Sequence, residues 1–140
     1  MFKEVQSMDR ALQCGFYKFI KLENNKIMLL KYYGSETDVA IPQKIMNYTV
    51  SAIGTTTFRS NTRIKQIVIP STVESIEALS FSECVNLRKI NIPPLVDTIM
   101  THTFEDCINL ETVIIENENC KIDEHAFLNS DPKLITVKTN

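Results

Sequence analysis

One phrase recurs down this chain at a fixed step. Its clearest copy runs Leu87, Ile90, Ile92, Pro93, Val96, Ile99, Phe104, Cys107 and Leu110. Ile64, Ile67, Ile69, Pro70, Val73, Ile76, Phe81 and Cys84 precede it in the same spacing, and Leu110, Val113, Ile115, Ile122 and Phe127 follow. Phe58, Phe81, Phe104 and Phe127 stand 23 residues apart, as do Ile53, Ile76, Ile99 and Ile122. A unit of that size cannot bury its own apolar face, so successive copies must stack and share one core. The chain is therefore read as a solenoid whose structural core is these two columns together with Cys84 and Cys107.

Within a repeat, Ile90 and Ile92 alternate with period two, which turns both inward and leaves Asn91 outward on a short parallel strand. Pro93 lacks an amide donor and stops that strand. Val96 and Ile99 form a second extended, inward-facing piece, and Thr101 to Cys107 has room for one or two helical turns that bury Phe104. A small residue precedes each phenylalanine (Thr57, Ser80, Thr103, Ala126), which implies close backbone packing there.

The chain divides into a cap over 1–36 and four repeats of the 23-residue type with a closing strand over 37–140. Phe2, Val5, Met8 and Leu12 recur at helical spacing, predicting a short helix over 1–13 that Gly15 ends. Phe16 to Leu22 and Lys26 to Tyr33 flank Glu23-Asn24-Asn25, and Asn suits the left-handed geometry of a tight turn, so a β-hairpin is predicted, covering the open end of the stack. Gly34 to Thr37 turns into Asp38-Val39-Ala40-Ile41-Pro42. Pro42 to Pro70 is 28 residues, five too many, and the insertion falls in Gln43 to Thr49. The last repeat loses its Pro at Glu116, places Ser130 in the Cys slot and closes with Leu134 to Lys138, read as one residue late.

Bulk properties exclude several classes. A formal net charge of -2 with scattered Lys and Arg gives no pull toward nucleic acid. No apolar run approaches the roughly 20 residues that span a bilayer, so no membrane insertion is expected. Met1 to Arg10 contains acids and has no apolar h-region, so as given the chain reads as cytoplasmic. Cys84 and Cys107 share one slot of successive repeats and are expected as free buried thiols, small apolar side chains; Cys14 and Cys120 fall outside that column.

The phrase resembles the BspA-like leucine-rich repeat family, also called the Treponema pallidum type, whose consensus reads approximately Leu-x-x-Ile-x-Ile-Pro-x-x-Val-x-x-Ile-Gly-x-x-Ala-Phe-x-x-Cys-x-x-Leu. The resemblance covers about 38 to 138, and Tyr33 to Pro42 looks like the family's entry into its first repeat. The family's Gly survives only as Gly54 and its Ala before Phe only as Ala126. The implied fold is a leucine-rich repeat solenoid, a right-handed coil of short parallel β-strands and short helical turns behind an N-terminal β-hairpin cap. The implied role is non-enzymatic protein binding or cell adhesion, at the cell surface or in secretion.

A solenoid offers an extended sheet face whose outward positions are free of packing duty. By phase these are Ala40, Val68, Asn91, Ile114 and Lys138 in one column and Asp38, Gln66, Lys89, Thr112 and Thr136 in the next, with Lys65, Arg88 and Glu111 at the edge. Val68 and Ile114 are apolar where solvent is expected, a pattern that can mark a binding patch. The partner-binding set is thus Val68, Asn91, Ile114, Gln66, Lys89, Thr112, Lys65, Arg88 and Glu111. The alternative is an intracellular scaffold, or a structural protein that self-associates as a homodimer through the terminal strand Leu134 to Lys138.

His102 and His125 share a column near Asp106, Asp123 and Glu124. A metal pair there is the remote reading, and solvent-exposed turn residues the preferred one. A Cys-His hydrolase on Cys107 and His102 needs an exposed thiolate, whereas the repeat places that sulfur in the core. No catalytic residue, cofactor or metal ligand is assigned. Asn47-Tyr48-Thr49 is a glycosylation sequon in the inserted loop, read as incidental.

Overall fold

A computed structural model describes residues 11–139. Three strands precede the repeats: β1 (Leu12–Cys14), β2 (Tyr17–Lys21) and β3 (Lys26–Tyr32). β2 and β3 pair antiparallel, and Asn24 and Asn25 between them take φ of 61° and 57°, the left-handed region that Asn tolerates. The repeats then supply β4 (Asp38–Ala40), β5 (Lys44–Ile45), β6 (Tyr48–Ile53), β7 (Gln66–Val68) and β8 (Ser75–Ile76). After these come β9 (Lys89–Ile92), β10 (Thr98–Ile99), β11 (Thr112–Ile115), β12 (Lys121–Ile122) and β13 (Leu134–Val137).

β4, β7, β9, β11 and β13 form an all-parallel sheet of five strands, each bonded to the next coil. The Val-x-x-Ile pieces build a second parallel ladder, in which Ile53 pairs with Ile76 and Ile99 with Ile122. β3 joins this second ladder, pairing Ile27 with Val50 and Leu29 with Ile53. The hairpin is therefore one more rung of the stack. Within the insertion, β5 pairs antiparallel with β6 around Met46, which takes φ 58°.

No helix forms among the described residues, so the helical turns expected within each repeat are absent. The backbone shows why. Thr56, Leu79 and His102 are left-handed, as are Ser60, Glu83, Asp106 and Asn129, so three coils carry two such residues four apart and the last carries one. An α-helix cannot run through them. The amides a helix would use internally are given to the next coil instead: Phe81 N–H donates to the Thr103 carbonyl (3.1 Å), Glu83 N–H to Glu105 (2.7 Å) and Phe104 N–H to Ala126 (2.8 Å). A third ladder thus runs along the turns, and Thr57, Ser80, Thr103 and Ala126 are buried beneath it.

The four phenylalanines stack face to face, with centroids 5.2 Å (Phe58–Phe81), 5.4 Å (Phe81–Phe104) and 5.3 Å (Phe104–Phe127) apart. The column runs on into the cap. Tyr32 lies 5.3 Å from Phe58 and Tyr17 lies 5.2 Å from Tyr32, while Tyr32 N–H donates to the Thr57 carbonyl as Phe58 N–H does to Ser80. Gly54 follows Ile53 because the cap comes close there: a Cβ would sit 2.6 Å from the Leu29 carbonyl oxygen.

Two further expectations are corrected, and a third falls mostly outside the described residues. Of the predicted helix over 1–13, residues 1–10 lie outside the described residues, and Leu12 and Gln13 belong to β1. The closing strand runs one residue early, not late: Thr112 pairs with Leu134 and Ile114 with Thr136, a register that aligns Ile135 and Val137 with the inward Val113 and Ile115. The two columns therefore end in Leu134 and Thr136, not Thr136 and Lys138. Ile122 is 44% exposed and Phe127 only partly buried, because the coil that carries them has a neighbour on one side alone among the described residues.

Candidate protein-binding surface

The outward face of the five-stranded sheet is set by its register. Asp38, Gln66, Lys89, Thr112 and Leu134 share one column, and Ala40, Val68, Asn91, Ile114 and Thr136 the next. Lys65, Arg88 and Glu111 lie just before the strands, exposed and aligned: Arg88 N–H donates to the Lys65 carbonyl at 2.8 Å and Glu111 N–H to Arg88 at 2.9 Å. A depression of about 290 Å³ opens on this face, with Gln66, Val68, Lys89, Asn91 and Ile114 in its lining. Val68 is 51% exposed, while Ile114 and Thr112 are half-buried.

Asn91 is not free of packing duty, which corrects its reading as an unoccupied outward position. Its Oδ1 accepts the Ile69 amide (2.7 Å), and its Nδ2 donates to the Ile69 carbonyl (2.9 Å) and to Glu116 Oε1 (2.8 Å). Glu116 Oε2 in turn lies 3.7 Å from Lys138 Nζ. Glu116 and Lys138 line the same depression. Sequence reasoning gave Glu116 no role in the site, although a signal existed: it stands where Pro70 and Pro93 close the earlier strands, and its own amide reaches the Ile92 carbonyl at 2.9 Å.

The histidine rings stack, 6.0 Å between centroids and 8° from parallel. Among the described residues no group of three or more His, Cys, Asp or Glu side chains is placed to hold a metal ion. His102 Nδ1 meets the Thr101 hydroxyl at 2.8 Å, and His125 is exposed.

All four cysteines are free thiols. Cys84 and Cys107 are buried and donate to the carbonyls of Phe58 and Phe81, each at 3.1 Å. The adjacent Cys107 thiol and burial push Cys84 well above its ordinary range, so it stays a protonated, unreactive thiol. Ser130, in the Cys slot, bonds the Phe104 carbonyl in the same manner (2.6 Å).

Comparison with known proteins bears on this architecture. Residues 31–140 match the BspA type leucine rich repeat region, in six copies. A leucine-rich repeat protein from Bacteroides capillosus superposes with a TM-score of 0.73 at 22% identity, over 92% of this chain and 99% of that one. One from Bacteroides ovatus gives 0.71 at 24% identity, over 91% of this chain and 37% of that one. The leucine-rich repeat protein of T. pallidum gives 0.68 at 22% identity, over 76% and 53%. The chain thus spans about half or less of the T. pallidum and B. ovatus proteins. No curated protein matches it in sequence. With the repeat model matched over most of its length and the strand ladders as described, the chain belongs to the BspA-type leucine-rich repeat family.

Proposed function

We propose that this chain is a non-enzymatic protein-binding module that engages its partner through the outward face of the five-stranded sheet. The observation that carries the reading is the depression between Val68 and Ile114, where two apolar side chains stand among Gln66, Lys89 and Glu116. A small apolar centre inside a charged and polar rim, with Lys65, Arg88, Thr112 and Glu111 around it, has the anatomy of a protein interface. The family is one typical of interaction modules, and its resemblance also supports a place at the cell surface or in secretion. Among the described residues no helix is long and apolar enough to cross a membrane.

The test replaces Val68 and Ile114 together by Lys and leaves Asn91 untouched, since Asn91 holds the sheet. Partner capture from candidate surfaces or extracts should fall to background while thermal unfolding stays nearly unchanged. Capture retained at the wild-type level overturns the reading.

A second reading has its own observation: all four residues of β13 are exposed, Leu134 at 55%, and β13 pairs on one edge only among the described residues. That edge can pair with a second copy. Sedimentation across concentrations would show a rising mass, and a monomer throughout defeats this reading.

A further inference from the structure

A second depression, of about 270 Å³, lies where the cap meets β4, with Phe16, Tyr17, Tyr32, Glu36, Asp38 and Val39 in its lining. Its aromatic wall is continuous: Phe16 and Tyr32 meet edge to face at 6.2 Å, and Tyr17 and Tyr32 at 5.2 Å. Gly34 makes room for that wall, because a Cβ there would collide with the ring and hydroxyl of Tyr32. The segment that carries the two acids is held by the next coil. Arg63 Nε donates to the Ser35 carbonyl at 3.0 Å, and the amides of Lys65 and Gln66 both reach the Thr37 carbonyl, at 2.7 and 3.2 Å.

Charge decides what fits. Glu36 and Asp38 form no ion pair among the described residues. Tyr17 stays a neutral phenol, since burial, Tyr32 and the Glu36 carboxylate all raise its pKa. Phe16 is the exposed ring of the three, and a ring face is negative at its centre and attracts cations. Two carboxylates at the rim repel anions and penalise a wholly apolar guest.

We propose that this depression receives the cationic side chain, lysine or arginine, of a bound polypeptide, with its charge toward Glu36 and Asp38 and its methylene stem along the exposed Phe16 ring, beside the buried Tyr17 and Tyr32. β4 belongs to the same sheet as Val68 and Ile114, so the pocket adds a second contact to that face without resting on it.

The full chain, with 13C-labelled aromatic rings, is titrated with N-acetyl-lysine methylamide, with N-acetyl-arginine methylamide and with the neutral ε-acetylated lysine analogue. The Phe16, Tyr17 and Tyr32 resonances should shift saturably in the millimolar range with both cations and little with the neutral probe. In Glu36→Gln/Asp38→Asn, both sites being exposed, affinity should fall about tenfold. No saturable shift, equal response to the neutral probe, or undiminished affinity in the double variant overturns the proposal. Val68→Lys/Ile114→Lys should leave these shifts unchanged, so this site and the sheet-face reading fail separately.

Discussion

Asn91 makes both hydrogen bonds of a peptide unit with Ile69, accepting its amide at 2.7 Å and donating to its carbonyl at 2.9 Å. The regular pairing of β7 with β9 stops at Ile67 and Ile90, so this side chain extends the ladder past its last backbone rung. Removing it strands two part-buried backbone groups and a Glu116 oxygen. Asn91→Ala should cost about 1 to 3 kcal/mol, read as a lower denaturant midpoint at constant m-value. Asn91→Asp should cost more, since it loses both donors and faces a carboxylate.

The aromatic column predicts a graded series. Phe104 is fully buried between two rings, whereas Phe127 has a ring on one side and is partly exposed. Phe104→Ala should lose roughly 3 to 5 kcal/mol, enough to threaten a domain of ordinary stability, and Phe127→Ala clearly less. Equal losses in urea melts would show that the rings do not act through their stacked neighbours.

Ser80 is buried and its hydroxyl finds no hydrogen-bond partner among the described residues. Its counterpart in the last repeat is Ala126, buried without a polar atom to satisfy. Ser80→Ala should therefore stabilise the fold by about 0.5 to 1 kcal/mol, visible as a higher midpoint of thermal unfolding.

Stability should erode on the alkaline side. Tyr17 is held above its ordinary 10.0 by burial, Tyr32 and Glu36, and Cys84 above its ordinary 9.0 by the Cys107 thiol and burial. Both groups keep their protons in the folded chain at pH values where the unfolded chain loses them. Their contributions are complete below about pH 9 and decline as pH rises through 9 to 10 and beyond, by up to about 1.4 kcal/mol per pH unit for each group. Tyr17→Phe should flatten the tyrosine part of that slope in denaturation curves recorded from pH 8 to 11.

The register of β7, β9 and β11 was legible because identical side chains recur every 23 residues and only an in-step stack buries them all, whereas β13 pairs at a step of 22 that the period does not announce. The turns were not. A stretch such as Thr101 to Cys107 has the length and apolar spacing of a helical turn, and nothing in Leu79 or Glu83 announces φ > 0; His102 and Asp106 belong to types enriched there, but the column they share with Leu79 and Glu83 dilutes that signal. The place of Tyr32 in the ring column was hidden for another reason. It stands 26 residues before Phe58 rather than 23, since it belongs to a hairpin and not to a repeat. On the candidate surface, phase identified Val68 and Ile114 as outward, but phase says nothing of hydrogen bonds. The coupling of Asn91 to Glu116 depends on a side chain reaching sideways between coils.

The unlike ends of the described stack give it a direction of unravelling. At one end a hairpin bonds along β6 and closes the ring column with two tyrosines; at the other, among the described residues, Ile122, Ile135 and Val137 are exposed. Each coil is steadied only by its immediate neighbours, so the least work opens the chain from β13 backward, coil by coil. Amide exchange should be quickest in β13, slower in β11 and slowest around β7 and β6, a gradient of lifetimes that follows chain order.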